Sequence, residues 1–461
     1  MASIARVLGR IKTNLASYLE PVHIESLCQE FGHVWRCRIL DPVTTLHLFI
    51  LQILHGNTAC SHLAHLARLL ELRPSSRRPF TASAYCQARR RLPVELITAL
   101  AVRMAEAGRS DAGAAPLWHG HRTVLMDGSG FSMPDTPVLQ ARFGQPGGQK
   151  KGCGFPVAHL LAVFDAQTGL ALDLIAAPLR THDMSRVREA HARLRPGDVI
   201  VADRGFCSYA HLALILEGNL HACLRVHQKQ IVRFSPHRRH ATRRNARGLP
   251  RARWLRRLGV CDQIVEWPKP AQRPKWMSEE DHAALPESIT LRELKYKVGP
   301  RGFRVRAVTL VTTLLDAETY PASELAELYR RRWEVETNLR HLKTTLGMDI
   351  LHCKTVDGIL KEMWMFALVY NLVRLVMLET ARQREVEPAR VSFIDAARWL
   401  ALAAGNADTA CVVHLASLII NPARAHRVEP RVIKRRLKEF LLMKKPRDQL
   451  RQDLGRGNLV A

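Results

Sequence analysis

Between Tyr329 and Lys343 the chain reads YRRRWEVETNLRHLK, with two carboxylates, Glu334 and Glu336, set among arginines and a lysine. Leu325, Leu328, Val335, Leu339, Leu342 and Leu346 recur at helical intervals, so residues 321–346 are expected to form one helix with a core-facing stripe. At about 100° per residue, Tyr329, Arg332, Glu336 and Lys343 share an arc beside that stripe. Glu334 falls on the far side, four residues from Arg330, where an exposed ion pair contributes a few tenths of a kcal/mol. A carboxylate with Tyr, Arg and Lys companions is either a semi-buried ion network or a group that handles phosphate. Two more acids favour the second reading. Asp127 closes the apolar run TVLMD before Gly128, and Asp203 closes VIVAD before Arg204 and Gly205. Such an ending puts an acid at the rim of a sheet, where ligands of α/β folds sit, although Asp also favours plain turns. If the two strands are neighbours, both aspartates and Glu336 converge. Like charges held together are costly without a cation, and hard divalent metals prefer oxygen ligands. Two such ions activate water and stabilise the leaving oxygen in phosphodiester cleavage, with Tyr, Arg and Lys holding the phosphates.

The elements that must carry these residues follow from the period of the pattern. Residues 1–115 read as helices; LDPVTTLHLFILQILHG has Asp41 as N-cap, Pro42 at the first helical position and Gly56 past the end. TASAYCQARRRL is a short helix capped by Thr81 or Ser83, and its tip of Arg89, Arg90 and Arg91 suits a DNA groove or a solvated surface. From about residue 116, RTVLMDGSG is a strand running into a turn, and PVAHLLAVFDAQTGLALDLIAA is two strands joined at DAQTG. DMSRVREAHARL and SYAHLALILEG read as helices, GDVIVADRG and LHACLRVH as strands. This indicates an α/β core with a mixed sheet. Residues 228–315 are expected to form a basic, β-rich insertion. The core therefore comprises 116–227 and 316–383, and a helical basic region fills 384–461.

Charge narrows the partner. With 69 basic and 42 acidic side chains the chain carries +27, a field suited to a polyanion such as double-stranded DNA, with an anionic membrane or heparin-like surface as the plainer alternative. The ten cysteines show no CxxC pair, which fits free thiols in a reducing cytosol. No secretory apolar region opens the chain, and MWMFALVYNLVRLVML contains Asn371 and Arg374, so a buried core helix explains it better than a membrane span. The protein is expected in the cytoplasm, associated with the nucleoid.

Tyr329, Arg332, Glu336 and Lys343 have the Y-(2)-R-(3)-E-(6)-K spacing of DDE transposases of the insertion-sequence-four type, which the chain resembles. LMDGSGFSMPDTP and VIVADRGFCSYAHLALILEG are similar to the segments holding that family's first and second aspartates; SAYCQARRRLP and the basic insertion also fit. The resemblance covers nearly the whole chain, the tail after about residue 384 adding little. It implies a ribonuclease-H-like core, with Asp127, Asp203 and Glu336 as catalytic ligands for two Mg²⁺ ions, Mn²⁺ substituting. It also implies a homodimer that pairs two terminal inverted repeats, cleaves them by water attack and joins their 3′-hydroxyls to target DNA. Some relatives pass through a hairpin and stack a flipped base on a Trp of the insertion. Trp254, Trp267 and Trp276 lie there, at no spacing that singles one out.

Several other features read as structural. The glycine-rich GQPGGQKKGCG lacks a nucleotide-cradle pattern and is expected to be a loop, Lys150 and Lys151 within reach of backbone phosphate. Asp135 reads as a turn former, Asp183 as the cap of its helix, Trp333 as a packing residue, and His119 and His121 as surface residues. A nuclease of the same core that cuts without joining, and a DNA-binding protein with a vestigial centre, are the rival readings. A pure binder has no need of three clustered acids.

Overall fold

The structure, a computed structural model, describes residues 19–36, 39–69, 80–111, 117–147, 154–227, 229–236, 241–242, 252–298, 306–405, 417–422 and 452. Helices α1 (Pro21–Glu30), α2 (Pro42–Leu54), α3 (Cys60–Leu69), α4 (Ala82–Arg91) and α5 (Val94–Asp111) precede the first strand. The Asp41 side chain caps α2 through the Thr44 amide at 2.6 Å, and Thr81 rather than Ser83 caps α4. Strand β1 (Thr123–Ser132) leads through helix α6 (Pro137–Phe143) to the hairpin of β2 (Val157–Asp165) and β3 (Ala171–Pro178). Helix α7 (Val187–His191), β4 (Val199–Ala202), α8 (Tyr209–Glu217) and β5 (His221–Arg225) complete the alternating part. The short β6 (Gln230–Ile231) and β7 (Ala241–Thr242) pair with each other, and β8 (Arg253–Gly259), β9 (Asp262–Pro268), α9 (Glu279–Ala284), β10 (Ser288–Val298) and β11 (Arg306–Thr312) follow. Helices α10 (Ala322–Arg330), α11 (Trp333–Arg340), α12 (Val356–Gln383) and α13 (Phe393–Gly405) close the described chain. Residues 1–298 with 306–421 form one unit; 299–305 with 422–461 form a second, little of which is described.

One sheet holds nine strands in the order β3-β2-β1-β4-β5-β11-β10-β9-β8. Its first five are an antiparallel β3-β2-β1 meander followed by β4 and β5, which run parallel to β1. That order and those directions make the core ribonuclease-H-like within a mixed α/β fold. Among the described residues of the insertion, only β6 and β7 stand apart from the main sheet, as a two-stranded ladder. Strand β11 pairs antiparallel with β5, and β10, β9 and β8 extend the same sheet outward, so the described strands of this β-rich segment continue the core sheet. The cause lies in β5, whose free edge needs backbone partners.

Helix α12 packs against α2, α5 and β3. It is long and apolar enough to cross a membrane, but 94% of its most apolar window is buried inside the protein. The two polar side chains in its apolar run are satisfied there. Asn371 Nδ2 donates to the Ala171 carbonyl at 3.0 Å, and Arg374 Nε donates to the Thr168 carbonyl at 3.1 Å. Both ties secure the β2–β3 turn against the helix.

At the bottom of the sheet, Arg122 Nε donates to Asp198 Oδ1 at 2.9 Å in a pair about 95% buried on each side. Removing one partner strands a buried charge, which costs about 3–5 kcal/mol. Asp198→Ala is therefore expected to lower unfolding free energy by that amount in a urea titration, with an unchanged slope.

The predicted helix over 321–346 is broken. Helix α10 ends at Arg330, α11 begins at Trp333, and residues His341–Thr345 form a π-helical turn. At the junction Glu334 N bonds the Arg331 carbonyl at 2.8 Å, a three-residue closure typical of a tightened turn. The tightened turn advances the helical phase and the wide π turn sets it back, so the six-residue apolar stripe still faces inward, each member no more than 7% exposed.

Candidate active site

Strands β1 and β4 are parallel neighbours whose last registered pair is Met126 with Ala202. Asp127 and Asp203 each lie one residue beyond that pair, side by side where β4 ends. Asp127 does not end its own strand, as the sequence suggested. Strand β1 runs on to Ser132 because β2 continues to pair with it, Gly128 opposite Leu161 and Ser132 opposite Val157. Asp127 thus stands at the rim on one side only, toward β4. Past β4 the chain turns tightly, with the Gly205 amide donating to Asp203 Oδ1 at 2.7 Å. A Cβ at Gly205 would sit 2.9 Å from that oxygen, so any larger residue there would displace the Asp203 carboxylate.

Burial and the neighbouring Asp203 push the Asp127 carboxyl up to about 6, against the pull of the Gly128 amide and of Arg332. Arg332 comes from the junction between α10 and α11 and is 8% exposed. Its guanidinium reaches Glu336 Oε1 at 3.1 Å and lies 4.0 Å from Asp127 Oδ2, so one cation joins the strand acid to the helix acid. Glu336 is half exposed and turned toward Arg332. Among the described residues no three metal-ligating side chains are already gathered at ligand distance. The donors are nonetheless all carboxylate oxygens, the set that hard divalent cations take, and a cation there would offset the burial, and to a lesser degree the neighbouring Asp203, that raise the Asp127 carboxyl.

Tyr329 is 6% exposed, and burial pushes its phenol up. Lys343 Nζ donates to Ser129 Oγ at 2.9 Å, two residues beyond Asp127, and partial burial lowers its pKa. The structure thus brings Arg332 and Lys343 to β1, one on each side of Glu336 in sequence. Glu334 is only partly exposed, less so than Glu336, against the expectation that it alone faces solvent, and its partner is Arg331 at 3.1 Å; Arg330 pairs with Glu327 instead. The three-residue spacing replaces the expected four-residue one because the helix is interrupted at Arg331 and Arg332.

Other expectations are corrected. Asp183 does not cap a helix: His182 Nδ1 receives the Met184 amide, while Asp183 bonds His159 Nε2 of β2. Its carboxylate oxygens lie 2.5 and 2.8 Å from where a Gly128 Cβ would be, so Asp183 and His159 flank the site. The stretch around Asp183, THDM, reads as a capping signal and gives no hint of its pairing with His159. Trp333 is 61% exposed, with the Arg332 guanidinium 4.6 Å over its ring, so it presents an open aromatic face beside the carboxylates and is not a packing residue. Trp267 is fully buried, its Nε1 donating to Glu293 at 3.0 Å, which makes it a core residue of the insertion. His119 and His121 are tied to Glu324 and Tyr320, pinning the approach to β1.

The basic tip of α4 divides. Arg90 and Arg91 are exposed, but Arg89 turns inward, 3.7 Å over the Phe49 ring and bonded to Gln52 Oε1 at 2.9 Å. Arg89 is an internal tether, not a free basic finger. Lys150, Lys151 and the basic run RVIKRRLKEFLLMKKPR lie outside the described residues, as does most of the arginine-rich stretch 233–257.

Comparisons with known proteins point to one family. The profile described as Transposase DDE domain matches residues 118–372, more than half of the chain. Transposase InsG for insertion sequence element IS4, from Escherichia coli (strain K12), is 24% identical over 440 residues, covering 92% of each chain. Putative transposase InsZ from the same strain is 26% identical over 127 residues, 27% of this chain and 42% of its own. A cryo-EM structure titled piggyBac transposase synaptic complex with hairpin DNA overlays at a TM-score of 0.41, with 12% identity over 93% of this chain and 88% of that one. At that score the overlay adds nothing to the topology described above. With its carboxylate pair on adjacent β1 and β4 and its glutamate helix tied to them by Arg332, the chain belongs to the DDE transposase family.

Proposed function

We propose that this chain binds the terminal inverted repeats of an insertion sequence, cleaves the DNA at their ends and joins the freed 3′-hydroxyls to target DNA. The observation that carries this reading is the Arg332 bridge, which holds Glu336 against the strand that bears Asp127, beside Asp203. Asp127, Asp203 and Glu336 would hold two divalent cations, Mg²⁺ with Mn²⁺ as substitute, which when bound supply water activation and stabilisation of the leaving oxygen. The side chains do the rest. Lys343, anchored on Ser129, and Arg332 present positive charge to the scissile phosphate and its neighbour, and Tyr329 beside them orients the backbone. The exposed Trp333 face offers a base or sugar a stacking surface at the same place. Arg90 and Arg91 grip the duplex farther along. Two copies pair the two ends, so the acting form is a homodimer on double-stranded DNA.

The test pairs purified protein with DNA carrying the inverted repeats that flank its gene, with Mg²⁺ and then with EDTA. Cleavage at the repeat ends is expected only with the metal, together with joined products when target plasmid is added. Cleavage without joining would select the nuclease reading, and binding without cleavage the vestigial one. Glu334→Gln is expected to cut within about twofold of the parent, because its partly solvated pair with Arg331 contributes little; an inactive Glu334→Gln would overturn the choice of Glu336.

A further inference from the structure

Glu362, in the second turn of α12, is fully buried, yet no part of the proposed chemistry uses it. Its carboxylate receives the His352 amide at 3.0 Å, the Cys353 amide at 2.9 Å and the Asn57 side-chain amide at 2.7 Å. Asn57 belongs to the turn between α2 and α3, where its backbone is left-handed at φ 52°, and is itself 4% exposed. One buried acid therefore ties the N-terminal helices to the segment that precedes α12. Arg89 strengthens the same joint, with Nη2 3.3 Å from Cys353 Sγ and Nη1 on Gln52. Lys361, 5% exposed, adds a bond from Nζ to the Arg90 carbonyl at 2.8 Å, at the last turn of α4.

The segment held there leads straight to the catalytic strand. The Leu351 amide donates to the Ser132 carbonyl at 2.9 Å, and the Ser132 amide donates to the Asp349 carbonyl at 2.9 Å. The Asp349 amide in turn meets the Lys343 carbonyl at 3.2 Å, and Lys343 reaches Ser129. A continuous bonded path thus joins the tip of α4 to β1, which carries Asp127 at its middle. A surface hydrogen bond breaks and reforms easily. A buried carboxylate that loses its donors does not, because the lone charge would be stranded.

We propose that Glu362 is a positioning residue: with Asn57 and Arg89 it forms a buried latch that fixes the outward Arg90 and Arg91 at a set distance from Asp127, and so selects which phosphate of the bound repeat is cut. This rests on the transposase reading above and adds to it the part that sets the register of cleavage. A duplex gripped at α4 then presents one phosphate, and not its neighbours, to the carboxylates; slack of one step along the backbone would move the cut by a nucleotide.

Two variants test the latch from opposite sides. Glu362→Gln keeps the shape but puts an amide where two backbone amides need an acceptor. Asn57→Gly removes the side-chain donor and keeps the left-handed turn, which glycine adopts without strain. Each is compared with the parent on a repeat-end duplex, reading affinity, single-turnover rate constant and cut position at nucleotide resolution. Affinity is expected within about twofold, with the rate constant about tenfold lower and cuts spread to neighbouring phosphates. That loss is less than the roughly 100-fold that a fixed displacement of an ångström produces, because the loosened duplex still samples the parental register. If both variants cut at the parental position with the parental rate constant, whether at full or reduced amplitude, the latch is only structural and the proposal is overturned. Absence of cutting by the parent protein would instead remove the transposase reading beneath it. An Arg90→Ala, Arg91→Ala double variant that bound the duplex as tightly as the parent would overturn the proposal on the DNA side.

Discussion

Asp127→Asn, Asp203→Asn and Glu336→Gln are each expected to lower end cleavage by roughly three orders of magnitude or more, because residues that act as a unit fail together when one is removed. Repeat binding should persist, since phosphate contacts from the basic surface supply most of the affinity. Single-turnover cleavage beside a gel-shift titration separates the two. The three substitutions should also differ in stability. Asp127 is buried and crowded by Asp203, so Asp127→Asn removes a repulsion and should leave the fold unchanged or slightly firmer. Glu336→Gln gives up an exposed bond to Arg332 at 3.1 Å and should change stability by less than about 1 kcal/mol. Full activity in Glu336→Gln would move the third acid elsewhere.

Gly128→Ala should cost about 100-fold in cleavage, on the scale expected when a reacting group is displaced by about an ångström. The new methyl would lie 2.5 Å from Asp183 Oδ1 and 2.9 Å from Asp183 Cγ, so either Asp183 leaves His159 or β1 shifts and takes Asp127 with it. A double-mutant cycle distinguishes these outcomes. If the strand shift carries the loss, Asp183→Ala makes room and the double variant recovers to the level of Asp183→Ala alone. Equal losses in both single variants would instead show that the Asp183–His159 pair itself matters to the cut. Equal cleavage by Gly128→Ala and the parent would mean that Asp183 relaxes freely, and the crowding has no consequence.

Much of this site is legible in the amino-acid sequence. The apolar runs ending in Asp127 and Asp203, the β2–β3 hairpin and the buried α12 follow from short-range pattern, where a side chain's neighbours in sequence are also its neighbours in space. What the pattern hid is tertiary. Arg331 and Arg332 are ordinary helix residues by propensity, and the helix gives way there while Arg331 Nη2 reaches the Ala166 carbonyl at 2.5 Å and Arg332 turns to Asp127. Arg89 looks like one more surface arginine until Phe49 and Gln52, from another helix, are found beneath it. Asp183 is a good capping residue by type, and only the fold of β2 brings His159 to it. The Gly128 and Gly130 that read as a turn are strand residues, kept in line by pairing with Leu161 and His159.

The continuity of the sheet has a directional consequence. Six strand-to-strand steps separate β1 from β8, and each step turns the strand direction by roughly 20–25° in a twisted sheet, which accumulates to about 120–150°. The exposed Arg253, Arg256 and Arg257 of β8 therefore lie along a line swung well past a right angle from the strand that holds Asp127. A straight duplex laid along β1 would cross the line of β8 at about 30–60°, the acute equivalent of that rotation, so those arginines would clasp it over a limited part of its length, or meet a second duplex coming in from the side.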